Sequence, residues 1–287
     1  MKTYATPAAF RQALENRLHR QAEEEGVDLM RFRRQVAFDR FLARIFSGGG
    51  GPWALKGGYA LELRFTEART TRDIDLTLQT PVDLPAADVL SKRLQAELQT
   101  LVEVDLGDFF HFVVAPVVMD IDAAPYGGAR FPVDARLAGR TFVRFPVDIG
   151  VGDALVEPTE VLTGRGWLDF AGIASPAIVC ISKEQQFAEK LHAYTLPNRP
   201  HPNSRVKDLV DMVMMIRRFD LDIDRLQRAV MVTYSGRSDH ALPGTLAPPP
   251  EDWAQPLVAL AGEVGLEVDV EQAFTELQRF VLRIRGA

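Results

Sequence analysis

The 287-residue sequence predicts an α+β fold, with a mixed, mainly antiparallel sheet flanked by helices and followed by a helical domain. Apolar residues recur at helical spacing before residue 50 and after about residue 175. The segment between them holds short runs of β-branched and aromatic residues, separated by turns rich in Gly and Pro. We therefore expect an N-terminal helical segment at 1–50, a sheet-containing core at 51–172 and a helical C-terminal domain at 173–287.

The N-terminal segment is predicted to be helical because its apolar residues fall on one helix face. Phe38, Phe41, Leu42 and Ile45 are spaced i, i+3, i+4 and i+7. The glycine run at 47–52 then ends the pattern. Arginines occupy the other positions, which indicates either a solvated helix face or a local basic surface for RNA; they are Arg31, Arg33, Arg34, Arg40 and Arg44.

The core is predicted to contain several strands and few helices. Strong β propensity marks 109–121, where Pro116 indicates a bulge or a sheet edge, and the further strands 130–137 and 141–149. Helices are expected at about 58–65 and at 81–100. This pattern is typical of an antiparallel sheet with helices covering one face.

The C-terminal domain is predicted to begin with a capped helix. Ser182 and Gln185 have the spacing of a capping box, and Phe187, Leu191 and Tyr194 give that helix a buried stripe. A second helix is expected from about 204, a loop at 236–250, and a last helix that ends at 286.

Composition is that of an ordinary globular protein, with 47% hydrophobic and 25% charged residues. The net charge of −6 argues mildly against a general nucleic-acid binder. No signal-like or membrane-spanning apolar stretch is found, so we expect a cytoplasmic protein that does not enter membranes. The single cysteine, Cys180, lies in an apolar run, which predicts a buried hydrophobe in a reducing compartment.

Two aspartates in the core suggest a metal site. Asp73 and Asp75 flank Ile74 at the start of a predicted strand, so both carboxylates point to the same face. Two like charges this close favour a cation between them, and Mg²⁺ prefers carboxylate and phosphate oxygens. Upstream, Gly57 and Gly58 would let backbone N–H groups approach a phosphate. The combination suggests phosphoryl or nucleotidyl transfer at a two-metal centre.

The spacing of residues leaves the rest of this site open. Asp148, flanked by β-branched residues, could be a third acid, but Asp120 and Asp122 form a rival pair on a strand. Lys190 lies at the margin of a helical apolar stripe, where it would either extend to water or bind phosphate. Asp208 could form a surface pair with Arg205 or orient Lys190.

Several segments together resemble the AbiEii-type nucleotidyltransferase toxins of the DNA polymerase β-like superfamily, a family that includes the mycobacterial MenT toxins. The resemblance covers roughly residues 50–215. The segments that carry it are Lys56-Gly57-Gly58, Thr70-Thr71-Arg72-Asp73-Ile74-Asp75-Leu76, Phe145 to Asp153, Glu184 to Lys190, and Arg205-Val206-Lys207-Asp208 with Asp211.

The resemblance implies a nucleotidyltransferase core and assigns residues to roles. It favours Asp148 over Asp120 and Asp122 as the third acid. The implied catalytic residues are Asp73, Asp75, Asp148, Lys190 and Asp208, of which Asp73, Asp75 and Asp148 would bind metal. The implied nucleotide-binding residues are Lys56, Gly57, Gly58, Thr71, Arg72, Lys190 and Asp211.

The resemblance further implies a toxin of a toxin–antitoxin system. Such an enzyme would use Mg²⁺ to transfer nucleotides from an NTP, with a pyrimidine as the favoured base, to the 3′ end of tRNA, which blocks aminoacylation. The antitoxin partner in related systems can be a kinase that phosphorylates the position of Thr71.

Two alternatives remain from the sequence. The same metal site would serve an enzyme that transfers a nucleotide to a protein or a small molecule. The chain could instead be a catalytically inert scaffold that binds a partner, although retention of the acids and Lys190 counts against this.

Overall fold

A computed structural model describes residues 4–49, 51–65, 69–79, 87–120, 126–153, 155–197, 205–237 and 240–286. The chain forms two compact units. The first comprises Met1–Arg64, Thr70–Gly152 and Glu160–Cys180, and the second comprises Phe65–Arg69, Asp153–Thr159 and Ile181–Ala287. The N-terminal helices and the sheet thus belong to one unit.

The first two helices of the first unit begin with capped termini. Helix α1 (Pro7–Glu25) is capped by Thr6, whose hydroxyl accepts a hydrogen bond from Ala9 N at 3.3 Å. Helix α2 (Leu29–Ile45) is capped by Asp28 in the same way, through Met30 N at 3.0 Å. Helices α3 (Gly57–Arg64) and α4 (Ala87–Val102) follow.

All eight strands in the described part of the chain belong to one mixed sheet. They are β1 (Trp53–Lys56), β2 (Ile74–Leu78), β3 (Phe110–Val114), β4 (Met119–Asp120), β5 (Gly128–Leu137), β6 (Arg140–Val151), β7 (Glu160–Thr163) and β8 (Ala177–Cys180). Their order is β3-β5-β6-β2-β1-β8-β7, with β4 beside β5. Strand β2 is parallel to β6 and β1 is parallel to β8, whereas the other neighbours are antiparallel. Strand β2 therefore lies inside the sheet, between β1 and β6.

Aromatic side chains of α2 form the contact with the sheet. Phe38 packs edge-on against Phe145 of β6 at a ring-centroid distance of 4.8 Å, and Phe41 packs against Phe112 of β3 at 5.5 Å. All four rings are buried. The predicted apolar face of this helix is therefore confirmed as the face that covers the sheet.

Two arginines of α2 lie in the core. For these two positions, the predictions of a solvated helix face and of a basic surface for RNA are therefore both wrong. Arg40 and Arg44 are 4% and 1% exposed, and both bond the buried carboxylate of Asp108. Arg44 makes a two-point contact at 2.9 and 2.7 Å. A charge this deeply buried needs a partner, and the sequence does not reveal that the loop before β3 supplies one.

The second unit is helical, as expected for the C-terminal part. Its helices are α5 (Lys183–Thr195), α6 (Val206–Arg218), α7 (Ile223–Gly236), α8 (Ala254–Glu263) and α9 (Val270–Gly286). The Ser182 hydroxyl accepts from Gln185 N at 3.2 Å, so the predicted N-cap is confirmed. Phe187 of α5 packs against Phe280 of α9 at 5.3 Å within this unit's core.

Pro116 follows the edge strand β3, in agreement with the predicted edge. Strands β7 and β8 are not among the predicted strands, because four residues are too few to establish an alternating pattern. The helix expected at 81–100 is observed as α4, and residues 80–86 lie outside the described ranges.

Cys180 is buried in β8, as predicted, and burial raises the pKa of its thiol to about 12. Such a thiol stays protonated near neutral pH and is a poor nucleophile. Within the described ranges, no helix combines the length and the apolar character that a membrane span needs.

A buried hydrogen bond connects α2 to α3, the helix that begins with the glycine pair. The Tyr59 hydroxyl donates to Asp39 Oδ1 at 2.5 Å, and the Arg165 backbone N–H donates to Asp39 Oδ2 at 2.7 Å. Burial raises the pKa of Asp39 to about 7, and these hydrogen bonds counteract only part of that effect. Asp39 therefore helps to position α3 and is a source of pH-dependent stability.

We predict that Asp39→Asn makes the free energy of unfolding less dependent on pH. Because the folded-state pKa of about 7 exceeds the ordinary value of 3.8, the folded protein retains a proton that the unfolded chain releases between these values. The contribution of Asp39 to stability therefore falls as pH rises from 3.8 to about 7, by up to about 1.4 kcal/mol per pH unit. Urea denaturation at several pH values between about 4.5 and 6.5 measures it.

The control is Glu24→Gln, which removes a carboxylate that is 67% exposed and pairs only loosely with Arg20. This variant should keep the pH profile of the wild type. If the free energy of unfolding of Asp39→Asn depended on pH as steeply as that of the wild type, the assignment of a raised pKa to Asp39 would be contradicted.

Candidate functional site

Four charged residues form a row across four neighbouring strands of the sheet. Lys56 of β1 is opposite Asp75 of β2, Asp75 is opposite Asp148 of β6, and Asp148 is opposite Arg130 of β5. Residues in register on adjacent strands share a face, so the order across the sheet is positive, negative, negative, positive. The row brings Asp75 and Asp148 together, although the two residues are far apart in sequence.

Arg130 is the closest observed partner of the acids. Its Nε and Nη2 atoms donate to the two oxygens of Asp148, each at 2.6 Å, and Nη2 lies 3.8 Å from Asp73 Oδ2. The hydrogen bond with Asp148, followed by the charges of Asp148, Asp73 and Asp75, raises the pKa of Arg130 above its ordinary value. One guanidinium therefore offsets part of the charge of all three acids.

Asp73 is held from the other side by Thr71. The Thr71 hydroxyl donates to Asp73 Oδ1 at 2.9 Å. Thr71 is only 4% exposed, whereas the side chain of Asp73 is one-third exposed, at 33%. The threonine hydroxyl thus orients a partly accessible carboxylate, and Arg72 between them is exposed.

The glycine pair lies directly beside Asp75. Gly57 has φ +66°, a conformation that residues with a Cβ rarely adopt, and a Cβ there would overlap the carboxylate of Asp75. Gly57 also begins α3, and a helix N-terminus favours negative charge. The turn is half-buried at all three of its residues, Lys56, Gly57 and Gly58. It is therefore partly accessible to solvent.

The chemistry of these side chains fits a hard divalent cation. Asp73, Asp75 and Asp148 offer carboxylate oxygens, the ligands that Mg²⁺ prefers. Among the residues that the structure describes, however, no three such side chains already surround one metal position. Both oxygens of Asp148 accept from Arg130 instead. The donor set fits, and binding would require Asp148 to share or lose that bond.

The rivals of Asp148 lie elsewhere or cannot be placed. Asp120 is on β4, opposite Ala129 of β5, so two strands, β5 and β6, separate it from β2. Its side chain and the whole of Asp122 lie outside the described part of the chain. The strand register thus favours Asp148 as the acid next to Asp75.

Lys190 and the C-terminal acids form a second cluster, in the helical unit. Lys190 of α5 donates to Asp211 Oδ2 at 2.7 Å and to Asp208 Oδ1 at 3.3 Å, both on α6. Lys190 is 8% exposed, Asp208 5% and Asp211 0%. Asp208 therefore makes both contacts that the sequence left open: it faces Lys190 inside the unit, and it pairs with Arg205 at 3.5 Å.

Arg69 completes this cluster, and sequence reasoning missed it. Its Nε and Nη2 atoms donate to the two oxygens of Asp211 at 2.9 and 2.8 Å. Burial raises the pKa of Asp211, but the charges of Lys190 and Arg69 outweigh this effect and lower it below its ordinary value. Burial likewise lowers the pKa of Lys190, and Asp211 and Asp208 outweigh it and raise that pKa. The cluster therefore stays ionised.

The two clusters belong to different units. Of the predicted site residues, the first unit holds Lys56, Gly57, Gly58, Thr71, Arg72, Asp73, Asp75 and Asp148. The second holds Lys190, Asp208 and Asp211.

We predict that Asp211→Asn destabilises the protein by about 3–5 kcal/mol, because it leaves two buried cations with less negative charge. Since the pKa of Asp211 is lowered, its stabilising contribution is present above the ordinary value of 3.8 and is lost as pH falls through the lower folded-state pKa. Urea denaturation at neutral pH measures the loss.

Glu276→Gln is the matched control in the second unit, where it removes an ion pair between α9 and α6. Glu276 bonds Arg217 of α6 at 2.8 Å, but both side chains are substantially exposed, at 26% and 38%. Its loss should cost less than about 1 kcal/mol. Equal effects of the two substitutions would contradict the special role of the buried cluster.

Comparison with known proteins gives a consistent result. The family model described as nucleotidyl transferase AbiEii toxin, type IV TA system, matches residues 40–278. Among solved structures, MenT4, a nucleotidyltransferase toxin from Mycobacterium tuberculosis H37Rv, is similar with a TM-score of 0.52 and 16% identity, covering 88% of this chain and 90% of MenT4. JHP933 from Helicobacter pylori has a TM-score of 0.49 and 14% identity, with 90% and 93% covered.

No curated protein sequence matches the chain. At 16% identity, the likeness to MenT4 shows the fold alone and supports the predicted fold class. The family match spans most of both units, including every predicted site residue from Lys56 to Asp211. The chain therefore belongs to the AbiEii family of nucleotidyl transferase toxins of type IV toxin–antitoxin systems.

Proposed function

We propose that this toxin is a magnesium-dependent nucleotidyltransferase that adds nucleotides from an NTP, with a pyrimidine as the favoured base, to the 3′ end of tRNA. A tRNA modified in this way cannot be aminoacylated, so translation and growth stop. The observation that carries the proposal is the pairing of Asp75 with Asp148 on neighbouring parallel strands, with Asp73 just before β2 and 3.8 Å from Arg130, which also binds Asp148.

Each acid has a role that follows from its surroundings. Asp73 and Asp75 would hold the metal, together with Asp148 once it is released from Arg130. Asp148 could also accept the proton of the attacking hydroxyl, since its side chain is 15% exposed and can be reached from solvent. Bound Mg²⁺ would supply positive charge for the triphosphate and for the attacking oxygen.

Backbone groups of the first unit would serve the triphosphate, and the family resemblance gives Lys190 of the second unit a phosphate-binding role. The Gly57 turn presents backbone N–H groups at the start of α3 without a side chain in the way. In the other unit, Lys190 keeps its positive charge through Asp211 and Asp208, and a fixed ammonium of this kind suits the charge of the leaving pyrophosphate. Asp211 then acts as a positioning residue for Lys190.

The proposed control by an antitoxin kinase would act on Thr71. Its hydroxyl is the donor to Asp73, so a phosphate there would remove that donor and add negative charge beside two acids. The hydroxyl is nearly buried, so a kinase could reach it only if this segment opened.

The tRNA acceptor is proposed from the family resemblance and draws limited support from the basic residues. Arg40 and Arg44 are internal and do not contribute to a surface. Arg72 is exposed next to Asp73. It provides local positive charge beside that acid, where a nucleic-acid backbone needs it.

The experiment is incubation of the purified protein with Mg²⁺, each α-labelled NTP in turn and total tRNA. We expect the wild-type protein to transfer label to tRNA from one preferred NTP. The variants Asp75→Ala and Asp148→Asn should transfer at least about a hundredfold less label than the wild type. Asp134→Asn is the matched control, because Asp134 also lies in the β5–β6 hairpin, bonds an arginine and has 13% side-chain exposure against 15% for Asp148.

Label on a protein or a small molecule instead of tRNA would support nucleotidyl transfer but overturn the proposal that tRNA is the acceptor. Growth inhibition that survives Asp73→Ala, with no transfer in any assay, would favour the inert scaffold and overturn the enzyme proposal.

We further predict that Gly57→Ala lowers the rate of nucleotidyl transfer roughly a hundredfold. The added Cβ would displace the carboxylate of Asp75, and a catalytic group that is misplaced by about 1 Å can cost this much in rate. The rate of transfer under saturating Mg²⁺ and NTP measures the effect.

Gly51→Ala separates this displacement from backbone strain. Gly51 has φ +53°, also in the left-handed region, but nothing lies within 4 Å of a Cβ placed there. This control should lose stability without losing activity in the folded fraction. An active Gly57→Ala protein would show that Asp75 is not needed in its observed position.

A further inference from the structure

Arg130 belongs to the acid site, because it contacts both Asp148 and Asp73. It closes the row of charges on β5, and its guanidinium holds both oxygens of Asp148 at 2.6 Å. The same group lies 3.8 Å from Asp73. Its side chain is 32% exposed, so it is neither locked in the core nor a free surface residue.

A divalent cation bound at the acids would compete with Arg130 for the carboxylate oxygens of Asp148. Asp148 has two carboxylate oxygens, and both accept from Arg130. A metal ligated by Asp148 takes at least one of them and places two further positive charges near the guanidinium. The guanidinium cannot relieve this repulsion by losing its proton, because arginine stays charged in proteins. It must therefore either move away or gain an anion.

The triphosphate of the nucleotide is the anion that would compensate this loss. The planar guanidinium presents paired donors that match phosphate oxygens as well as they match a carboxylate. A phosphate bound to a metal at Asp73 and Asp75 would lie near Nη2, which is already 3.8 Å from Asp73.

We propose that Arg130 exchanges its bond to Asp148 for a bond to the triphosphate when the metal and the nucleotide bind together. Arg130 thus opposes binding of metal alone and favours binding of the metal–nucleotide pair. The inference rests on the proposed nucleotidyl transfer and adds a residue that couples metal binding to nucleotide binding. No covalent step is involved, since only hydrogen bonds and metal ligation change.

The test compares two binding reactions in Arg130→Gln and in the wild-type protein. Binding of Mn²⁺ alone is followed by the loss of the electron paramagnetic resonance signal of free Mn²⁺. Binding of the α,β-methylene analogues of the four NTPs, with Mg²⁺ present, is followed by calorimetry. We expect Arg130→Gln to bind Mn²⁺ roughly tenfold more tightly and to bind the preferred analogue roughly tenfold more weakly.

Arg136→Gln is the matched control. Arg136 is on the same strand and bonds a carboxylate, that of Asp134, at 2.8 Å, but it lies outside the charge row. It should change neither affinity. Thermal unfolding of both variants checks that they are folded. A purely structural role of Arg130 predicts that metal and nucleotide affinities fall together, and that result would overturn the exchange.

The test separates this inference from the proposed function. If the wild-type protein binds Mn²⁺ and an analogue, and Arg130→Gln binds both as the wild type does, only the role of Arg130 is overturned. If the wild-type protein binds neither Mn²⁺ nor any analogue, the metal site and the role of Arg130 are both overturned.

Discussion

The strand register that places Asp75 beside Asp148 creates the main electrostatic constraint of the first unit. Two carboxylates on adjacent backbones repel each other, and Asp73 adds a third negative charge nearby. The surrounding structure balances this charge in several ways: Lys56 and Arg130 end the row, Thr71 donates to Asp73, and the start of α3 lies against Asp75. The same balance makes the site suited to a hard cation and a triphosphate, because both would interact with groups already arranged to neutralise charge.

Buried ion pairs serve a different purpose in the rest of the molecule. Asp108 between Arg40 and Arg44, and Asp211 between Lys190 and Arg69, are acids enclosed by two cations each. Such arrangements contribute little net stability compared with apolar packing, but removing one member is costly. They fix the direction of specific side chains. In the helical unit this fixes the ammonium of Lys190, the property that a charge-stabilising residue needs.

Much of the fold could be predicted because it follows from local patterns. The apolar face of α2, the cap at Ser182, the strand edge at Pro116 and the burial of Cys180 are all confirmed. The predicted site residues of the first unit come from a combination of motifs and from family resemblance, and they stay predictions. Arg69 and Arg130 were missed, because an arginine on a strand or in a turn has no local signal that distinguishes a surface charge from the partner of a distant acid.

By itself the sequence determined that Asp75 points away from the buried side chains of Ile74 and Leu76, since a strand directs successive side chains to opposite sides. Only the tertiary structure decided that Arg130 meets Asp148. The turn pairs Leu137 with Arg140, and continuing that register would place Arg130 opposite Val147. An irregularity between Ala135 and Arg136 shifts the register by one residue and brings Arg130 opposite Asp148. A one-residue shift reverses which side chains meet on each face, and it depends on packing along the whole hairpin, which a local pattern does not encode.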